Sequence, residues 1–267
     1  MLIDTHCHLN DPAFSTSLAD VVERAREAGV VAFIAPSYDR ESLKTTEELA
    51  SIYKDLVYPA YGIHPWFVDK HVNLDILRLY IRHKETVAVG EIGLDFAPDT
   101  PPQNLQIDAF SRQLDFARES GLPVLIHCRR AHEAMYQMVK TYYGRIRGVM
   151  HSFSGDIEMM NRFLDLGFYI SFSGSVTRET AEKYRNNARG VPLDRLLVET
   201  DAPSIATKTT IASGVEPRHT VEVAHKIAEL RGISYEEVCT QTTNNAKHLF
   251  NLPRIRPATS IQKMFNT

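Results

Sequence analysis

The feature that most restricts the fold is a rhythm. Short apolar runs alternate with longer amphipathic stretches along the 267 residues, at a pitch near the ~30 residues of a strand-plus-helix unit. The runs are "LIDTHCH" (2–8), "VVAFIAP" (30–36), "VYPAYGIHP" (57–65), "TVAVGEIGLD" (86–95), "LPVLIHC" (122–128), "RGVMHSF" (147–153), "FYISFSG" (168–174) and "RLLVETD" (195–201). Eight is the number a closed parallel barrel requires, so the spacing predicts a TIM (β/α)8 barrel. The intervening stretches have helical periodicity. In 17–29, Leu18, Val21, Val22 and Ala25 form a stripe before Gly29; in 106–121, Phe110, Leu114 and Ala117 do so before Gly121. Two further helices are predicted after the eighth run, over 220–232 and 234–250, the second opened by a capping box of Ser234 and Glu237. The last of these is an additional C-terminal helix on the barrel.

No Pro-, Gly- or Ser-rich linker interrupts the rhythm, which makes one domain over 1–267 the expectation. A net charge of −3 argues against a nucleic-acid coat or a membrane-surface protein, so a polyanionic substrate has to be met by local positive charge. The three cysteines, Cys7, Cys128 and Cys239, are widely spaced and odd in number. They predict a reducing compartment rather than a disulfide framework, with Cys7 and Cys128 as packed thiols, and with no apolar run of membrane-spanning length the expectation is a cytoplasmic protein without a membrane partner. Nothing in the pattern calls for an obligate protein partner.

The ionisable residues that interrupt the apolar runs fall at the carboxyl ends of those runs: His6 and His8, His64, Glu91 and Asp95, His127, His151, and Asp201. In a parallel barrel that end carries the active site. Side chains two apart in a strand point the same way, so His6 and His8 are expected to face the interior together, with Cys7 and Cys128 turned toward the helices. Such a pair could grip one metal ion. Glu91 is placed to bridge two cations through its two oxygens, His127 and His151 to complete the second ion, and Asp201 to join the first. Mixed imidazole and carboxylate ligation does not choose among zinc, manganese, iron and magnesium. His71, His83, His225 and His248 fall in helical or loop stretches and read as surface residues.

The ordered blocks "DTHCHL", "GIHP", "GEIGLD", "LPVLIHCRRA", "GVMHSFSG" and "LLVETDAP" resemble those of the TatD family of metal-dependent deoxyribonucleases, within the amidohydrolase-like barrel superfamily. The likeness runs from the first strand to "NNAKHLFNL" (244–252). It implies that His6, His8 and Asp201 bind one divalent metal ion, that Glu91 bridges, and that His127 and His151 bind the second. Zn²⁺, Mg²⁺ and Mn²⁺ all suit that set. It also implies that His64 contacts the scissile phosphate. The activity implied is hydrolysis of DNA phosphodiester bonds, exonucleolytic, on single-stranded or frayed ends. One departure stands out: Val215 and Glu216 precede Pro217, where family members commonly carry an Arg–Asn or Asn–Arg pair.

Asp201 is the expected general base, being placed both to ligate and to accept a proton. Cationic groups for phosphate follow strands five, seven and eight: Arg129, Arg130, His132, Arg178, Lys208 and Arg218. Arg129, adjoining the strand-five end, is the expected substrate contact. Trp66 and Phe67 after "GIHP" offer a surface on which a base could stack. The competing expectation is a hydrolase of a small phosphoester, amide or lactone on the same dinuclear site; a metal-stabilised binding module is the third.

Overall fold

The structure, a computed structural model, describes residues 1–253. Strands β1 (Leu2–Asp4), β2 (Val30–Pro36), β3 (Val57–Tyr61), β4 (Ala88–Asp95), β5 (Val124–Arg129), β6 (Gly148–Met150), β7 (Tyr169–Phe172) and β8 (Leu196–Val198) form one sheet. All seven ladders are parallel and the strand order is sequential. The last strand meets the first through three backbone bonds. Thr5 N–H donates to Val198 O (3.2 Å), Asp201 N–H to His6 O (2.9 Å) and His8 N–H to Ala202 O (2.9 Å). The sheet is thereby wrapped to near closure as a TIM barrel.

Helices follow the strands in turn: α1 (Leu18–Glu27), α2 (Arg40–Ile52), α3 (Leu77–Ile81), α4 (Gln103–Ser120), α5 (His132–Lys140), α6 (Ile157–Asp165), α7 (Glu182–Gly190) and α8 (Thr220–Arg231). Their buried stripes are those the sequence predicts, such as Val21, Val22 and Ala25 on α1. Gly121 ends α4 with φ of 70°, a left-handed stop that costs glycine little. The additional helix, α9 (Tyr235–Phe250), is present, and the Ser234 side chain accepts from Glu237 N–H (3.0 Å) at its start. Of the expected capping box, that serine half is the part that forms. The single unit expected over 1–267 includes residues 254–267, which lie outside the described residues. Among the described residues no helix is long and apolar enough to cross a membrane.

The core is layered. Ile3, Ala32, Ile34, Ala60, Ala88, Leu125, Val149, Tyr169 and Leu197 fill the barrel interior, together with Ala246, Leu249 and Phe250 of α9. Alternate residues such as Val124, Ile126, Met150, Leu196 and Val198 pack outward under the helices. Because the interior apolar residues come from the amino-terminal parts of the strands, α9 stops that end of the barrel. The carboxyl end is left to polar side chains.

Two expectations about the strands need correction. A continuous strand through 2–8 would not have turned His6 and His8 inward, because Leu2 packs outward and Ile3 inward, and strict alternation then sends the even positions out. In fact β1 stops at Asp4, the ladder to β2 shifts between Leu2 and Ile3, and both histidines sit in the bend that follows. The fourth run shows the same effect. Ala88 packs inward and Val89 outward, and a register shift between Val89 and Ile92 then brings Glu91 to the inside. His64, His151 and Asp201 likewise lie just past their strand ends, so the third, sixth and eighth runs yield shorter strands than expected.

Candidate active site

Asp4 shapes the first corner. Its Oδ1 accepts from His6 N–H (3.2 Å) and Thr200 N–H (3.0 Å), and its Oδ2 from the Thr200 hydroxyl (2.6 Å). Burial lifts its carboxyl to about 8. The residue therefore clips the bend after β1 to the segment after β8, which brings His6, His8 and Asp201 to one place.

Four ligand-type atoms converge there. His6 Nε2 and His8 Nε2 are 3.2 Å apart. Glu91 Oε2 lies 3.2 and 3.3 Å from them, and Asp201 Oδ1 3.7 and 3.4 Å. Two nitrogens each about 2.0–2.1 Å from one tetrahedral zinc ion would stand about 3.3 Å apart, so this spacing suits a shared cation. The other oxygen of the same carboxylate meets a second group. Glu91 Oε1 lies 3.0 Å from His127 Nδ1 and 2.9 Å from His151 Nε2, which are themselves 3.4 Å apart. One buried carboxylate thus turns one oxygen to each pair of histidines.

The far sides of the second pair are also occupied. His127 Nε2 lies 3.1 Å from Asp95 Oδ2, and His151 Nδ1 lies 3.2 Å from Glu199 Oε1. Ser171 Oγ donates to Glu199 Oε2. A carboxylate behind an imidazole fixes its tautomer and raises its basicity as a metal ligand. Glu199 is not singled out in the sequence, although a signal exists: it stands two residues after the inward-packing Leu197 of β8. Asp95 was noted only as a polar strand end.

Protonation follows from this crowding. Burial pulls His8 down, but Asp201 and Glu91 outweigh it and lift the ring to about 10. Burial opposes charge on His127 and His151 too, and their carboxylate neighbours raise both. Burial would raise Glu91, yet the surrounding histidines, His151 foremost, hold it well below the usual carboxylate range. His6 goes the other way, lowered by burial and by the neighbouring His151. So does His64: burial pushes it down to about 3. Its Nδ1 accepts from Trp66 N–H (3.1 Å), so the neutral ring carries its proton on Nε2, 3.5 Å from Glu91 Oε1.

A cavity of about 320 Å³ opens above the cluster, lined by His8, Asp11, Tyr38, His64, Trp66, Phe67, Glu91, His127, Asp201 and Ser204. All six expected metal ligands and His64 are brought together here. Arg129 is half exposed, with a guanidinium nitrogen 3.8 Å from Asp95 Oδ2. Neither it nor any other of the expected cations lines the cavity. Lys208 pairs with Glu179 (2.8 Å), Arg218 with Glu216 (3.2 Å), and Arg178 donates to Ser175 Oγ (2.7 Å). Glu216, at the departure noted above, accepts two bonds from Arg24 on α1 (2.9 and 2.7 Å), and Val215 is fully buried. Cys7 is buried and Cys128 partly so, in agreement with packed thiols, and Cys239 is buried as well.

Comparison with known proteins supplies the family. Residues 3–251 match the family described as TatD related DNase. An uncharacterized metal-dependent hydrolase of Bacillus subtilis, YabD, is 35% identical over 255 residues, covering 94% of this chain and all of that protein. The crystal structure of YjjV, a TatD homologue from Escherichia coli, superposes with a TM-score of 0.89 at 35% identity, over 94% of this chain and 98% of that one. A Danio rerio relative, tatdn3, is 32% identical over 266 residues, covering 95% of this chain and 98% of that protein, and its name proposes a deoxyribonuclease. With a family match over residues 3–251 and relatives 35% identical that share its fold along nearly its whole length, this chain belongs to the TatD-related DNase family and is a metal-dependent hydrolase.

Proposed function

We propose that the chain is a deoxyribonuclease that hydrolyses DNA phosphodiester bonds at single-stranded or frayed ends, working with two divalent cations. The observation that carries the reading is Glu91, whose two oxygens face two separate histidine pairs at 2.9–3.3 Å. His6, His8 and Asp201 would hold one cation, His127 and His151 the other, with Glu91 common to both. The chemistry such cations supply is Lewis acidity, which lowers the pKa of a water and neutralises charge on phosphoryl oxygens.

The chain's own groups do the rest. Asp201 opens onto the cavity and takes the proton of the attacking water. His64 offers its Nε2–H to a non-bridging phosphoryl oxygen, and stays neutral because burial keeps it so. Arg129 meets the chain of phosphates further out. The family match and the name of the zebrafish relative support DNA as substrate.

A second reading draws on one observation. None of the residues lining the cavity is lysine or arginine, which suits a small, weakly charged ester, amide or lactone as well as it suits a polyanion. Rates on an oligonucleotide and on a panel of small phosphoesters, amides and lactones separate the two. The deoxyribonuclease reading expects the higher kcat/KM on the oligonucleotide; a small ester turned over while DNA stays intact would replace it with the second.

A further inference from the structure

The cavity has an ionisable floor and an aromatic side. Trp66 and Phe67 follow one another on a short 3-10 turn, Pro65–Phe67, and are 51% and 46% exposed. Tyr38 packs near Phe67, with ring centroids 5.4 Å apart. Trp66 is exposed but not loose. Its indole N–H donates to Asp95 Oδ2 at 2.7 Å, the same oxygen that lies 3.1 Å from His127 Nε2, and its backbone N–H donates to His64 Nδ1. The ring meets His64 edge to face, with centroids 5.1 Å apart and planes at 88°. A half-exposed ring tethered through its indole N–H, on a backbone itself bonded to His64, is a preorganised stacking surface, because little side-chain freedom is left to lose on binding.

We propose that Trp66, flanked by Phe67 and Tyr38, is the seat of a nucleobase adjoining the scissile phosphodiester, and that Asp95 ties this seat to His127. The proposal rests on the deoxyribonuclease reading and deepens it. Stacking accepts any base, since each has a π-face. It requires a base whose face is free, which an unpaired or frayed nucleotide has and a base inside a duplex does not. Asp95 then sets base and phosphate at a fixed separation, through one oxygen shared by the platform and a ligand histidine.

Trp66 is the only tryptophan in the chain, so its fluorescence reports on this seat alone. The wild-type protein loaded with Mg²⁺ or Zn²⁺ is titrated with thymidine 3′- and 5′-monophosphate and, in parallel, with 2-deoxyribose 5-phosphate, which keeps the phosphate and lacks the base. Quenching by a nucleotide, with at least about fivefold tighter binding than the sugar phosphate, is the expected result. Trp66→Leu, followed by calorimetry, is expected to abolish the difference, and Trp66→Phe to retain part of it. Equal binding of nucleotide and sugar phosphate, unchanged by Trp66→Leu, overturns the seat and leaves the nuclease reading standing. Binding of neither, with oligonucleotides left intact and a small ester hydrolysed, overturns both.

Discussion

His151 is held between two carboxylates: Glu91 Oε1 lies 2.9 Å from its Nε2, and Glu199 Oε1 lies 3.2 Å from its Nδ1. The first contact faces the proposed cation site and the second lies on the ring's other nitrogen, so in this account Glu199 orients the ring. Glu199→Gln keeps the shape and removes the charge. It is expected to weaken binding of the cation at the His127–His151 pair about 10–100-fold, with the other site less affected. Competitive titration with a chelator, read as metal bound per chain, checks this; two unaltered affinities would remove Glu199 from the account.

Gly93, two residues beyond Glu91, has φ of +154°, and a Cβ built on it would fall 1.9 Å from His127 O. The backbones of β4 and β5 meet at the point where both deliver a side chain to the cluster. Gly93→Ala is expected to lower stability by about 3 kcal/mol or more, through both the left-handed backbone and the clash. Gly121→Ala, at φ of +70° with open space around it, is expected to lose only about 1 kcal/mol. Urea denaturation of the two variants gives the comparison, and equal losses would contradict it.

α9 stops the amino-terminal end of the barrel with Leu249 and Phe250, which are 0% and 2% exposed. Truncating Phe250 to alanine leaves a cavity against inner-layer residues such as Ile3 and Leu197. A loss of about 3–5 kcal/mol is expected in chemical denaturation, with metal stoichiometry at the opposite end of the barrel unchanged in the folded protein. Loss of bound metal at full stability would show that the two ends are not independent.

How much of this was legible in the sequence follows from the same elements. The eight runs, the buried stripes of α1 and α4 and the extra helix α9 were readable, because apolar periodicity is a local signal. The inward facing of His6 and His8 rests in the sequence on simple alternation and that of Glu91 on its place in the run, and alternation is not what produces either. The end of β1 at Asp4 and the register shift within β4 do, and both depend on contacts with β8 and β5 that no local pattern reveals. Glu199 and Asp95 escaped for a related reason: a carboxylate behind a histidine is recognised only once the distance is known. Glu216 shows the reverse: in the sequence it is only a departure from the family's usual pair, and the structure turns its carboxylate to Arg24.

The Arg24–Glu216 pair gives a pH-dependent test. Burial would raise the Glu216 carboxyl, but the Arg24 bonds and Arg218 outweigh it and hold it below its ordinary 4.5. A depressed carboxyl stabilises the fold above its ordinary pKa, and that contribution is lost as pH falls through the lowered value. Arg24 is more than one-third exposed, so Arg24→Ala is expected to cost only about 0.5–1 kcal/mol near neutral pH. The gap to wild type is expected to close as pH drops below about 4.5, where the unfolded carboxyl protonates. Urea midpoints at neutral and acid pH check the sign; a gap that widens in acid would contradict it.

The central claim is that Glu91 joins two cation sites into one centre that cleaves DNA. Its most direct test is a metal-depleted assay on a 5′-labelled single-stranded oligonucleotide, with Mg²⁺, Mn²⁺ or Zn²⁺ restored, comparing wild type with Glu91→Ala. A ladder shortening from one end, dependent on the restored metal and absent in the variant, is the predicted result. Intact oligonucleotide under every metal, or cleavage that survives Glu91→Ala, would contradict it.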